Sequence, residues 1–135
     1  MSALVQLTFE KVMQTRSYTV IVLGARGKRF AIYADTNTGK LLQVYLMGAP
    51  RPRPLTHDLI SNIFTGFETR VKQIVISDLK ETVYYARLFL EQQVGEIIHI
   101  VEVDARPSDC ITLAILEGAP IFCTEEVFEN AVSVE

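Results

Sequence analysis

The chain has little cysteine: Cys110 and Cys123 are the only two in 135 residues. Neither belongs to a CxxC pair and no HxxxH spacing accompanies them, so no structural zinc site is expected. Each lies in an apolar segment, where cysteine acts as a small hydrophobe, so a disulfide scaffold is not expected either. Long hydrophobic runs are also missing. The apolar stretches are strand-sized, too short to span a bilayer as a helix, and no membrane association is expected. Met1 to Glu10 has neither the basic start nor the apolar core of a secretory signal, which makes a cytoplasmic location the expectation. Positive charge is scarce, with a net charge of −3 and a pI near 5.4. That argues against bulk electrostatic binding of nucleic acid, but not against a nuclease with a local basic patch. Walker loops, GxSxG elbows and dinucleotide fingerprints are absent.

What is present is a globular composition, 49% hydrophobic, at the usual size of one domain. One α+β domain over residues 1–135 is the expectation. Val5 to Phe9 alternates apolar and polar residues as a half-buried strand does. Tyr18 to Leu23 and Phe30 to Ala34 read as strands around a turn at Ala25 to Lys28. A helix follows from Thr36 to about Met47, stopped by Gly48. Ala49 to Pro54 holds three prolines and must be extended. Thr56 then reads as the cap of a second helix that buries Leu59, Ile60, Ile63 and Phe64 and closes at Gly66.

The same order recurs downstream. Strands are expected at Val71 to Asp78, Val83 to Leu90 and Ile97 to Val103. Pro107 opens a helix stopped by Gly118, and Thr124 caps a last helix carrying Val127 and Phe128. Gly48-Ala49-Pro50 lines up with Gly118-Ala119-Pro120, and Thr56 with Thr124. This suggests duplicated β3α2 units, at about residues 4–66 and 70–134. Because neither half covers its own sheet, the two are expected to share a single barrel-like sheet with helices packed outside.

Two constellations carry chemistry. In Arg51-Pro52-Arg53-Pro54-Leu55-Thr56-His57-Asp58, a stiff loop delivers two arginines beside a helix start. Helix starts and guanidinium groups both favour phosphate, and His57 can move protons near neutral pH. The plainer alternative is that Thr56 and Asp58 cap the helix while His57 is exposed. The second, Asp104-Ala105-Arg106-Pro107-Ser108-Asp109, sits at a strand-to-helix corner. Asp104 and Asp109 offer oxygen ligands of the kind Mg²⁺ takes; the alternative is an Arg106–Asp104 pair with Asp109 serving the helix end. Arg26, Lys28 and Arg29 at the hairpin tip, Tyr84-Tyr85 and His99 are weaker signals, read more simply as solvated turn, core and strand residues.

These two strings resemble the hallmark motifs of the bifunctional nuclease domain family, and Pro120-Ile121-Phe122 with Glu125-Glu126-Val127 resembles the segment after the second motif. The resemblance implies small bacterial proteins, the β3α2 duplication with a barrel-like sheet, and nuclease or phosphodiesterase activity on RNA and DNA of low sequence specificity. On that reading His57, Asp58, Asp104 and Asp109 are the catalytic candidates, and Arg51, Arg53 and Arg106 the phosphate-binding ones. Asp104 and Asp109 would hold Mg²⁺ or Mn²⁺. Nucleic acid is the expected substrate, and a homo-oligomer, simplest as a dimer, is a further expectation. The competing expectation is a non-catalytic anion-binding or regulatory module. In one place the sequence departs from the family pattern: Thr38-Gly39 stands where the family has Glu-Ala.

Overall fold

The computed structural model describes residues 3–135. Strands β1 (Leu4–Gln14), β2 (Thr19–Ala25) and β3 (Lys28–Ala34) form an antiparallel meander, followed by helices α1 (Thr36–Met47) and α2 (Thr56–Gly66). A second meander, β4 (Thr69–Lys80), β5 (Val83–Val94) and β6 (Ile97–Ala105), leads into α3 (Pro107–Glu117). Strand β7 (Ile121–Thr124) and helix α4 (Glu125–Asn130) complete the chain's regular structure.

The strands make one seven-stranded mixed sheet in the order β3-β2-β1-β7-β4-β5-β6. The keystone is β7, which pairs antiparallel with β1 and parallel with β4 and so joins the two meanders side by side. Only four residues long and flanked by Pro120 and the α4 cap, it is too short to announce itself by alternation.

The expected barrel-like closure does not occur. Closure needs β3 to pair with β6, and these lie at opposite ends of the strand order. Joining the meanders through their first strands places the last strand of each at an outer edge, and the sheet stays open. The β3 edge is met instead by the C-terminal tail, where Val134 N donates to Arg29 O at 2.8 Å.

Burial is uneven along this sheet. Ile21, Val22 and Leu23 are buried in succession, so β2 is covered on both faces. Ile74, Val75 and Ile76 show the same for β4. At the far edge β6 is exposed on both faces from Ile97 to Asp104. His99, within this apolar strand, is accordingly solvent-facing. Helix α2 also packs less deeply than its sequence suggests: Ile60 and Phe64 rest on the core, while Leu59 and Ile63 are exposed. The helix lies toward the open end of the sheet, where little is available to cover its second apolar stripe.

The cysteines behave as expected. Both are buried free thiols, and burial pushes Cys110 up to about 12 and Cys123 up to about 11, where they remain unreactive. Tyr84 stacks on Phe30 at 5.7 Å and belongs to the core, while the Tyr85 ring lies exposed under Lys80. Two of the three hairpin cations are committed structurally. Arg26 pairs with Glu125, and Lys28 donates to the carbonyl of Phe128. No helix among the described residues is long and apolar enough to cross a membrane.

Candidate functional site

Three helices begin at one cleft. Asp35 caps α1, its carboxylate accepting from Thr38 N at 2.8 Å and from Thr38 Oγ1 at 2.7 Å. These bonds, the hydroxyl first, hold the Asp35 carboxyl below its ordinary range, and the field of Arg106 adds to the effect. The Asp35 carbonyl is pinned from the sheet by Thr19 Oγ1 at 2.6 Å.

This corner explains Thr38-Gly39. A Cβ on Gly39 would fall 1.8 Å from Gln14 Oε1 and 2.4 Å from Thr19 Oγ1; Gln14 could swing away, but Thr19 is fully buried and bonded to the Asp35 carbonyl, so the helix requires glycine here. Thr38 in turn lies on the cleft wall with its hydroxyl turned to the cap. Asp35 and Thr38 are cleft residues that the motif reading missed. Their signal was the Asp-x-x-Thr spacing at a helix start.

Helix α2 begins differently from the sequence expectation. Its N-cap is Leu55, and Thr56 is the first helical residue, so the Thr56 hydroxyl does not cap. The exposed N–H of Leu55 is instead met by Asp58 Oδ2 at 2.9 Å. Asp58 is nearly buried and also receives Arg51 through two bonds of 2.7 Å. The Arg51 guanidinium lies 4.7 Å from the centre of the Tyr45 ring. Arg51 holds the Asp58 carboxyl below the usual carboxylate range. Both groups thereby anchor the proline-rich loop and lie outside the wall of the main cleft. Arg53 is exposed, outside the cleft wall, and has no ion-pair partner among the described residues.

Helix α3 starts at Arg106, with Pro107 in the first helical position, where its missing N–H costs nothing. Asp109 stands in the first turn and uses both oxygens. Oδ2 accepts from Arg106 Nε at 2.8 Å, and Oδ1 lies 3.2 Å from Nε2 of His57, fifty-two residues away in sequence. The His57 ring is largely enclosed, with Nδ1 buried and unpartnered, so Nε2 is the nitrogen at the polar rim. Arg106 is mostly exposed. The two sequence motifs therefore meet through His57, Asp109 and Arg106.

Asp104 does not join them. Val103 and Ala105 line the cleft, so the intervening side chain points to the opposite face of the sheet. There Asp104 is exposed, 3.6 Å from Arg87 Nη1. The expected Asp104–Asp109 metal pair is not formed. Among the described residues no three His, Cys, Asp or Glu side chains are grouped to hold a metal ion.

The cleft itself has a volume of about 980 Å³. The starts of α1, α2 and α3 form its polar end. Leu88, Leu90, Val103, Ile60 and Phe64 form an apolar wall running toward the β6 edge. Helix starts carry unpaired N–H groups and partial positive charge, and with Arg106 they suit an anion. Asp35 and Asp109 limit how much net positive charge remains.

An open mixed sheet whose helix starts gather two distant motifs at one cleft, polar at one end and apolar along the other, defines a small α+β domain. Residues 20–135 match the family model of the bifunctional nuclease domain. The chain belongs to that family. It is also 32% identical over 123 residues to two Mycobacterium tuberculosis proteins, "Uncharacterized protein MT1877" of strain CDC 1551 / Oshkosh and "Uncharacterized protein Rv1829" of strain ATCC 25618 / H37Rv. Each match covers 90% of this chain and 71% of the relative.

Proposed function

We propose that the chain is a phosphodiester-cleaving nuclease acting on RNA and DNA at the cleft where His57, Asp109 and Arg106 meet. Membership of the nuclease-domain family supports the reaction class. The observation that carries the site is the 3.2 Å contact between His57 Nε2 and Asp109 Oδ1, which brings the two motifs together at an open cleft.

In this reading Asp109 positions two groups with its two oxygens. It orients His57 on one side and Arg106 on the other. His57, with Asp109 beside its Nε2, forms the proton-transfer element. Arg106 and the N–H groups at the helix starts oppose the charge that develops on phosphate oxygens as the bond breaks. DNA lacks a 2′-hydroxyl for internal attack, so in this reading water attacks phosphorus, the P–O bond to the departing sugar oxygen breaks, and His57 mediates transfer of the water proton toward that leaving oxygen. Asp58 and Arg51 contribute by fixing the loop that carries His57. The donor set does not compose a metal centre, so no step is routed through a metal.

Tag-free protein should cleave labelled single-stranded RNA and DNA, assayed with Mg²⁺, with Mn²⁺ and with chelator. His57→Ala and Asp109→Asn should each lower the rate by roughly 100-fold, the usual scale for losing a proton-transfer group. Unchanged cleavage by the double variant would defeat the proposal.

A second reading, an anion-binding regulatory module, is favoured by one observation: most of the cleft wall is apolar, with Arg106 the lone cation on it. Thermal stabilisation by a small anion, lost in Arg106→Ala and unaccompanied by any cleavage, would select that reading instead.

A further inference from the structure

The two edges of the sheet are treated differently. Edge strand β3 has seven residues, begins with Lys28 and Arg29, and receives the backbone of Val134 along its outer side. Edge strand β6 has nine residues and contains no lysine, proline or glycine. Its pairing with β5 runs unbroken from Ala86↔Ala105 to Val94↔Ile97, whereas β1–β2 and β4–β5 both carry bulges. Its five branched apolar residues, Ile97, Ile98, Ile100, Val101 and Val103, are 38–62% exposed. Charges, prolines, bulges and covering segments are the usual means of blocking a sheet edge, and β6 has only Glu102 and Asp104 near one end. The neighbouring helix adds an exposed stripe of Leu55, Leu59 and Ile63. So much apolar surface beside an open strand edge marks an interaction face.

We propose that β6 pairs antiparallel with β6 of a second copy, about a twofold axis at Val101, to make one continuous sheet across a homodimer. The charge pattern selects both the partner and the register. In a symmetric antiparallel pair with its axis at a given residue, positions equally far before and after it lie opposite each other. An axis at Val101 pairs the full strand, Ile97 with Ala105 and Ile98 with Asp104. At the two ends it sets Glu96 of one copy against Arg106 of the other. Among the described residues Glu96 has no ion-pair partner, and the Arg106 side chain is 70% exposed.

The neighbouring registers are penalised by like charges, which oppose strand pairing when directly across from one another. An axis at Ile100 sets Glu96 against Asp104, and one at His99 sets Glu96 against Glu102. An axis at Glu102 sets that residue against itself, and one at Val103 sets Glu102 against Asp104. Val101 alone combines full overlap with opposite charges at both ends. The pairing also closes the apolar side of the cleft, since Val103 and Ala105 line it, and carries Glu96 of each copy to the Arg106 rim of the other.

This inference is independent of the nuclease reading, because its tests measure association. Sedimentation velocity should show a species of twice the 15.2 kDa chain mass at about 100 µM. Val101→Lys, which sets two lysines together on the axis, should weaken association by roughly 100-fold or more while circular dichroism remains that of the folded chain. Tyr33→Lys, on the guarded edge, should leave the dimer intact. Glu96→Arg should weaken it by roughly tenfold, and adding Arg106→Glu should restore it. Under oxidation Val101→Cys should cross-link to itself, whereas Ile100→Cys should cross-link only when mixed with Glu102→Cys; the native thiols are buried and do not compete. A wild-type monomer at that concentration, a dimer that survives Val101→Lys, or self-cross-linking of Ile100→Cys in place of Val101→Cys would overturn the proposal.

Discussion

Asp58 and Asp109 stand at the same place in two helices, three residues beyond the cap, and each accepts from an arginine. Asp58 is nearly buried, grips Arg51 with two short bonds and also closes the α2 backbone through Leu55 N. Asp109 is a third exposed, and its arginine is mostly in solvent. It divides its oxygens between Arg106 and His57. The same pair of residue types is therefore nearly buried and fully engaged in the first half and exposed at a cleft rim in the second. Burial makes the difference. A carboxylate removed from water must have all its acceptors met, whereas one at a cleft rim can exchange partners with a ligand.

The comparison breaks first at Asp58. Asp58→Ala leaves Arg51 without its partner and the Leu55 N–H unmet, and should destabilise the fold by about 3 kcal/mol in urea denaturation. The same contact carries a pH signature. The folded Asp58 carboxyl titrates below its unfolded value of about 3.9, so its contribution is complete above about pH 5. It should be lost as pH falls through the folded value, and Asp58→Asn should flatten that part of the acid limb. An acid limb unchanged in Asp58→Asn would remove the strut from the account.

Thr124 and Thr56, aligned between the halves, should differ next. Thr124 Oγ1 accepts from Val127 N at 3.1 Å, so Thr124→Ala should cost about 1 kcal/mol. Arg106→Ala should cost roughly 0.5 kcal/mol, since a largely exposed ion pair contributes little, yet should abolish anion-dependent thermal stabilisation. A loss of several kcal/mol there would make the second corner a strut like the first. Thr56→Ala, at a position that does not cap, should change stability by no more than a few tenths of a kcal/mol.

Much of the fold was legible in local pattern. Six of the seven strands and all four helices lie where alternation, glycine stops and proline placement put them, though β1 and β5 run several residues further than their apolar alternation. The gap was β7, whose four residues acquire strand geometry from β1 on one side and β4 on the other. Missing it left the halves without their seam, and a closed sheet then looked natural. The meeting of His57, Arg106 and Asp109 rests on both motifs falling at helix starts. Asp104 was misplaced for a reason of parity: one step along a strand turns a side chain to the other face. The mutual pairing of Arg51 and Asp58 is not legible in the sequence, because charge alone does not reveal whether a neighbouring group already satisfies it.

The sequence by itself determined the α+β class, the positions of the helix starts and the stiff Pro52-Arg53-Pro54 loop, since these follow from backbone restrictions that each residue carries with it. Only the tertiary structure decided that the sheet stays open, that Asp104 and Asp109 face apart, and that His57 meets Asp109. Those outcomes depend on strand order and burial, which are set by long-range pairing through β7 rather than by any local stretch of chain.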